Sequence, residues 1–121
     1  MRFPSTTIEV IGTQSRVTLD AVIDTAFEGE LALPLRTALS LGLVLAAETP
    51  IGLANATTSW EFVFSGEVVF LGERRPVSIF VFDRDEALIG THMLDDCQLV
   101  VDFVEKKVNL FRQKTKKSKK N

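Results

Sequence analysis

Polar and apolar positions along the chain alternate in short runs with little helical periodicity, which predicts a protein built mostly of strands. Residues 6–11 form a β-branched run, and Val17, Leu19, Ala21 and Ile23 alternate with Thr18, Asp20 and Val22. The turn formers Gly12–Ser15 separate these two predicted strands. Residues 24–30 read as a loop, and Leu31-Ala32-Leu33 as a short buried strand. Pro34 suits the first turn of a helix, Leu35, Ala38, Leu39 and Leu43 fall near helical spacing, and Gly42 is a stop. The pattern thus predicts one short helix over roughly 34–41. Pro50, Gly52 and Asn55 predict a hairpin with its tip near Asn55. Trp60–Leu71 and Val77–Phe82 are two apolar and aromatic runs, with Gly72–Pro76 predicted as the turn between them. Ala87-Leu88-Ile89 is a further short strand, Thr91–Asp95 can form one helical turn, and 99–103 and 108–111 make a final pair. Many short strands with little helix imply a β barrel or sandwich and disfavour a parallel α/β sheet.

Composition narrows the chemistry. The 121 residues suit one domain, and 45% hydrophobic with 25% charged residues is ordinary for a globular chain. A single cysteine, Cys97, excludes an internal disulfide framework and a cysteine-based zinc site. A single histidine, His92, excludes a histidine-rich metal site within one subunit, so no metal and no cofactor are expected. No apolar run approaches the ~18 residues that span a membrane. Met1–Ser5 lacks the apolar centre of a signal peptide, so the expected compartment is the cytoplasm. Charge is uneven: residues 1–111 sum to −8, whereas 112–121 carry six Lys and Arg and no acid. An acidic body is not the pattern of a nucleic-acid-binding domain. The lysine run gives at most weak attraction to nucleic acid or acidic lipid, and 113–121, with no apolar residue, is expected to be a disordered basic tail beyond a domain over 1–112.

One segment carries more specific information. Ala21-Val22-Ile23-Asp24-Thr25-Ala26-Phe27-Glu28-Gly29-Glu30-Leu31-Ala32-Leu33-Pro34 resembles the active-site segment of retropepsin-like (clan AA) aspartic proteases, most closely their small prokaryotic single-domain branch. That branch reads apolar-apolar-Asp-Thr-Gly-Phe, then Gly, then Leu-x-Leu-Pro; here Ala26 stands at the family's Gly. Leu88-Ile89-Gly90 and the following Thr91–Leu94 resemble the strand and short helix that cross behind the active-site loop. Leu53-Ala54-Asn55-Ala56-Thr57 resembles the branch's Leu-Ala-Asp-Gly-Ser flap segment. Val100–Phe103 and Val108–Leu110 resemble the closing strands. In order, these matches cover about residues 15–111.

The resemblance implies an all-β, closed, six-stranded acid-protease barrel with one short helix and a flap hairpin. It also implies an aspartic endopeptidase acting on extended peptides. Hydrolysis of this kind uses two carboxylates about 3 Å apart that share one proton and activate a water between them. The chain has one such motif, so the second carboxylate must come from another copy in a homodimer. Asp24 is then the catalytic acid/base. Thr25 would hold the paired loops together through its hydroxyl, and the Ala26 N–H would orient the carboxylate. Phe27, Gly29, Leu53, Ala54, Asn55, Ala56, Ile89 and Gly90 are the implied substrate-binding residues. An extended peptide would add as a strand along the flap edge. The alternative is a non-catalytic dimer of the same fold that binds peptides or proteins; a more distant one is a β-barrel module using its basic tail on nucleic acid.

Other residues read as structural. Asp102 lies between apolar neighbours without the Thr-Ala context and is expected to face solvent or the tail. His92 reads as a surface or helix-end residue. Cys97 follows the acidic pair Asp95-Asp96, which disfavours a thiolate. The aromatics from Trp60 to Phe82 are not interleaved with Lys or Arg, as single-strand binders require.

Overall fold

The computed structural model describes residues 2–52 and 58–113. Its strands are β1 (Ser5–Ile11), β2 (Arg16–Ile23), β3 (Leu31–Pro34), β4 (Val44–Gly52), β5 (Thr58–Phe70), β6 (Glu73–Phe82), β7 (Ala87–Ile89), β8 (Cys97–Asp102) and β9 (Lys107–Arg112). One helix, α1 (Leu35–Leu41), follows β3. Strand order is β1-β2-β7-β3-β6-β5, and β5 pairs back onto β1 through Val10 and Val68, which closes a six-stranded barrel. The barrel is mixed: β7 runs parallel to β2, and β6 parallel to β3. β4 pairs only with β5 and lies outside the ring, while β8 and β9 form a separate hairpin.

The alternation read from the sequence places the core. Ile8 and Val10 of β1, Val68 and Phe70 of β5, and Val77 and Ile79 of β6 all point inward and are buried. Each such side chain contributes about 1.5–3 kcal/mol by leaving water. Two short strands and the end of β2 break the alternation. Ala21-Val22-Ile23, Leu31-Ala32-Leu33 and Ala87-Leu88-Ile89 are buried at every position. These continuous apolar runs are the mark of strands covered on both faces. Val22, Ala32 and Leu88 form a second apolar cluster on the far side of the sheet, covered by Phe27, Phe80 and Phe82.

The helix begins after Pro34, which is its cap residue and not its first turn, and it ends at Gly42 in the left-handed conformation (φ 70°). The β1–β2 turn closes over this end: Gln14 N–H donates to Leu41 O and Thr13 N–H to Gly42 O. Two helix-end carbonyls are thus satisfied. A side chain at Gly12 would strike Leu41 O at 2.0 Å, so only glycine permits this approach.

The β5–β6 connection differs from expectation. Glu73–Pro76, predicted as turn, belongs to β6, and the turn is the two residues Leu71-Gly72, both at positive φ (50° and 77°). Pro76 lies opposite Glu67 of β5, and on its other side β3 joins β6 only from Ile79 onward, so no strand on that side needs its missing N–H. Thr91–Asp96 forms turns closed by Met93 N–H to Gly90 O and Leu94 N–H to Thr91 O. Gln113, expected in the tail, is still tied to the fold: its N–H donates to Asp96 O at 2.7 Å. The rest of the tail and the predicted flap tip, including Leu53, Ala54, Asn55 and Ala56, lie outside the described residues. Among those described, no helix is long and apolar enough to cross a membrane.

Candidate active site

The site follows from how β2, β7 and β3 are connected. β2 and β3 are not neighbours; β7 lies between them. The Asp24–Glu30 loop must therefore pass around the end of β7, and a ladder of backbone bonds fixes it there. Asp24 N–H donates to Ile89 O at 2.9 Å, Gly90 N–H to Glu30 O at 3.0 Å, Thr91 N–H to Phe27 O at 2.8 Å and His92 N–H to Gly29 O at 3.2 Å. The crossing is so close that a Cβ on Gly90 would lie 2.2 Å from Gly29 O and 2.5 Å from Phe27 O. Gly90 is needed for that contact, not for a special φ.

Within the loop, the carboxylate is held by its own backbone. Ala26 N–H donates to Asp24 Oδ1 at 3.0 Å, and Phe27 N–H donates to Asp24 O at 3.1 Å. Asp24 is half-buried, whereas Thr25 and Ala26 are exposed. Among the described residues, the non-glycine positions with positive φ are Leu71 and Lys106. Ala26 is therefore not in the left-handed region, and its methyl group carries no backbone strain.

Phe27 leads into the groove. Its ring meets Phe80 and Phe82 edge-on, at 5.9 Å and 6.2 Å between centroids, and those two rings stack on each other at 6.3 Å. Beside them runs an open groove of about 730 Å³ walled by Phe27, Gly29, Val63 and Phe80, with Glu28, Glu30 and His92 at its rim. Glu30 is engaged there, accepting the Ser78 N–H at 2.8 Å.

Of the residues expected to contact substrate, Phe27 and Gly29 line this groove. Ile89 and Gly90 are buried behind it. The reason is the period of two: Ile89 points into the barrel with 0% exposure, and its neighbour Leu88 points to the aromatic side. What Ile89 supplies at the site is its carbonyl, which anchors Asp24. Phe80 and Phe82, read from the sequence as structural aromatics, stand at this groove; their alternation with the inward-facing Val77 and Ile79 is the signal that sets them on the outer face. Asp102 is exposed and accepts the N–H groups of Val104 and Glu105, a turn role. Cys97 is half-buried, and desolvation, with the nearby Asp96 carboxylate, pushes its thiol up. Among the described residues, no group of three His, Cys, Asp or Glu is placed to hold a metal ion.

No family model matches the chain, and no curated protein matches it. Solved structures do. A retropepsin-like aspartic protease from Rickettsia conorii aligns with a TM-score of 0.61 at 19% identity, covering 93% of this chain and 86% of its own. The EIAV protease in complex with the inhibitor HBY-793 gives 0.58 at 18%, with coverage of 78% and 88%. The simian foamy virus (mac) protease gives 0.59 at 13%, with coverage of 86% and 98%. At such identities the likeness speaks for the fold. The chain has the retropepsin-like fold, a six-stranded closed mixed barrel with one short helix, as its active-site-like segment implied.

Proposed function

We propose that this protein is an aspartic endopeptidase whose active unit is a homodimer. The observation that carries the reading is the setting of Asp24. It is a carboxylate oriented by the Ala26 N–H, on a loop pinned to β7, beside an aromatic groove. One carboxylate cannot both accept a proton from water and donate one to a peptide carbonyl at the same moment. Two facing Asp24 side chains, one from each copy, can do both while sharing one proton, and they titrate as a unit. The carboxylate form takes a proton from water as its oxygen attacks the scissile carbonyl. The carboxylic acid form donates to the developing oxyanion. The tetrahedral species then collapses, and the amine leaves with a proton from the dyad. The exposed Thr25 hydroxyl would bond across the dimer and keep the two loops in register. Phe27, Phe80 and Val63 would take apolar side chains of an extended peptide.

The test is cleavage of a broad peptide mixture by wild type and by Asp24→Asn, with new termini read by mass spectrometry. Asp24→Asn keeps the shape and removes the proton exchange. Cleavage by wild type alone is expected. The rate should be bell-shaped between about pH 4 and 8, because the pair must hold one proton, neither two nor none. Equal cleavage by both proteins, or a rate still rising above that range, would contradict the reading. A wild type that is dimeric yet cleaves nothing would favour a peptide-binding dimer without catalysis.

A further inference from the structure

One arginine of β6 points into the barrel. Side chains of β6 alternate, and Arg75 has the parity of Val77 and Ile79, which are buried in the core. Its partner across the ladder is Val68, which is fully buried. Arg74, one residue away, takes the other face, where it is exposed and paired with Glu67 at 2.6 Å. An aliphatic residue would suit the position of Arg75, because a cation leaving water is costly unless it is well partnered. The partners here are specific. Arg75 Nη2 donates to Met93 O at 2.8 Å, and the guanidinium lies over the Phe70 ring, 5.7 Å from its centroid. Arg75 Nε is buried and has no hydrogen-bond partner among the described residues. The hydrogen bond that the guanidinium does make goes to a carbonyl of the turn after β7.

That turn is where both ends of the Asp24 loop are fastened. Thr91 N–H donates to Phe27 O and His92 N–H to Gly29 O, while Gly90 N–H donates to Glu30 O and Asp24 N–H to Ile89 O. Met93 closes the same turn through its N–H to Gly90 O, and Met93 itself is fully buried. Met93 therefore serves two sides. Its N–H belongs to the turn that grips the loop, and its carbonyl is held from β6 by Arg75. Arg75 stands on the stretch of β6 that β3 does not reach, so this bond links the open end of that strand to the turn. An ionised donor makes a stronger bond than a neutral one, and the planar guanidinium fixes its direction.

We propose that Arg75 is a positioning residue for the candidate active site: by holding Met93 O it keeps the Gly90–Leu94 turn against the Asp24 loop, and through that turn it sets where the Asp24 carboxylate stands. The effect on rate rests on the protease reading above; the clamp on the turn is a property of the fold. Arg75 does not line the groove, so it acts on how often the loop is correctly placed and not on how a peptide is held. A side chain serving stability alone would be better as leucine or methionine, which fill the same space without an orphaned N–H.

The test is residue-by-residue hydrogen exchange of the full chain, with steady-state cleavage of a peptide found in the wild-type digest, for wild type, Arg75→Met, Arg75→Lys and Arg74→Met. Arg75→Met fills the position and removes the donor. The amides of Asp24, Gly90, Thr91 and His92 should exchange roughly tenfold or more faster than in wild type, while those of β1 and β5 at the barrel seam keep their rates. The kcat should fall by about tenfold or more with KM little changed, since the groove is untouched. Arg75→Lys keeps the charge and a donor on a softer stem. Its losses should be smaller and at the same amides, and it carries the test alone if Arg75→Met does not fold. Arg74→Met, on the outer face of the same strand, should match wild type in both readouts. Exchange accelerating equally over the whole barrel would make Arg75 a plain stability residue and overturn the proposal. So would unchanged exchange at the loop amides, a loosened loop with wild-type kcat, or the same losses in Arg74→Met. Exchange is read without catalysis. A wild type that cleaves nothing while Arg75→Met loosens the loop would sink the protease reading alone. An active Arg75→Met with wild-type kcat and loop protection would sink the positioning role alone.

Discussion

Ala26 is the position where this chain departs from the active-site pattern that it otherwise follows. Its N–H donates to Asp24 Oδ1, and its backbone is outside the left-handed region. An alanine at an unstrained position restricts the unfolded chain more than glycine does. Ala26→Gly should therefore lower stability by about 0.4–1 kcal/mol, read as a drop in melting temperature. A rise would mean that the methyl is strained after all. Cys97 offers a second residue-scale test. Burial, with Asp96 beside it, holds the thiol above its ordinary range, so less of it is thiolate near pH 8 than in a free cysteine. Alkylation of the folded protein at that pH should be slower than in urea and should accelerate as pH rises. Equal rates folded and unfolded would contradict this. At this scale the sequence was readable where a residue's role is set by neighbours in the chain, as for Asp24, Ala26 and Phe27. It was not readable where a role depends on which face of a strand points outward. Ile89 resembles a groove residue in one dimension and is core in three, because a strand reverses its face at every residue.

At the scale of elements, apolar and β-branched runs located most strands, β3 and β7 as continuous apolar stretches. β4 was legible only as one arm of a hairpin read from its turn formers, and the Pro34 and Gly42 signals bracketed the helix. The misreading at Glu73–Pro76 has a clear cause. Arg74, Arg75 and Pro76 suggest a turn by composition, but the chain reverses at Leu71-Gly72, and β6 runs beside a gap in the sheet where proline is harmless. A two-residue hairpin turn with positive φ at both positions favours Asn-Gly over Leu-Gly. Leu71 is also largely exposed and so gains little from burial. Leu71→Asn should stabilise the protein by about 0.5–1 kcal/mol, since asparagine accepts the left-handed conformation more readily than leucine. Chemical denaturation measures this, and a lower midpoint for the variant would contradict the assignment of the turn.

At the scale of the molecule, barrel closure was legible only through the resemblance. Pairing of β1 with β5 joins residues about sixty apart in the chain, and nothing in local pattern announces it. Within that barrel β7 lies between β2 and β3, which sends their connection around its end and so creates the loop that presents Asp24. Fold and candidate site are one consequence of strand order. What strand order cannot supply within one chain is the second carboxylate, and that makes the shared dyad the central claim. It is tested most directly by mixing wild type with Asp24→Asn at constant total concentration, after subunit exchange, and following cleavage. If each active site takes one Asp24 from each of two copies, only wild-type pairs are active. Activity should then fall as the square of the wild-type fraction. A linear fall would mean that each chain acts alone, and the account of a dyad shared across a two-fold axis would be wrong.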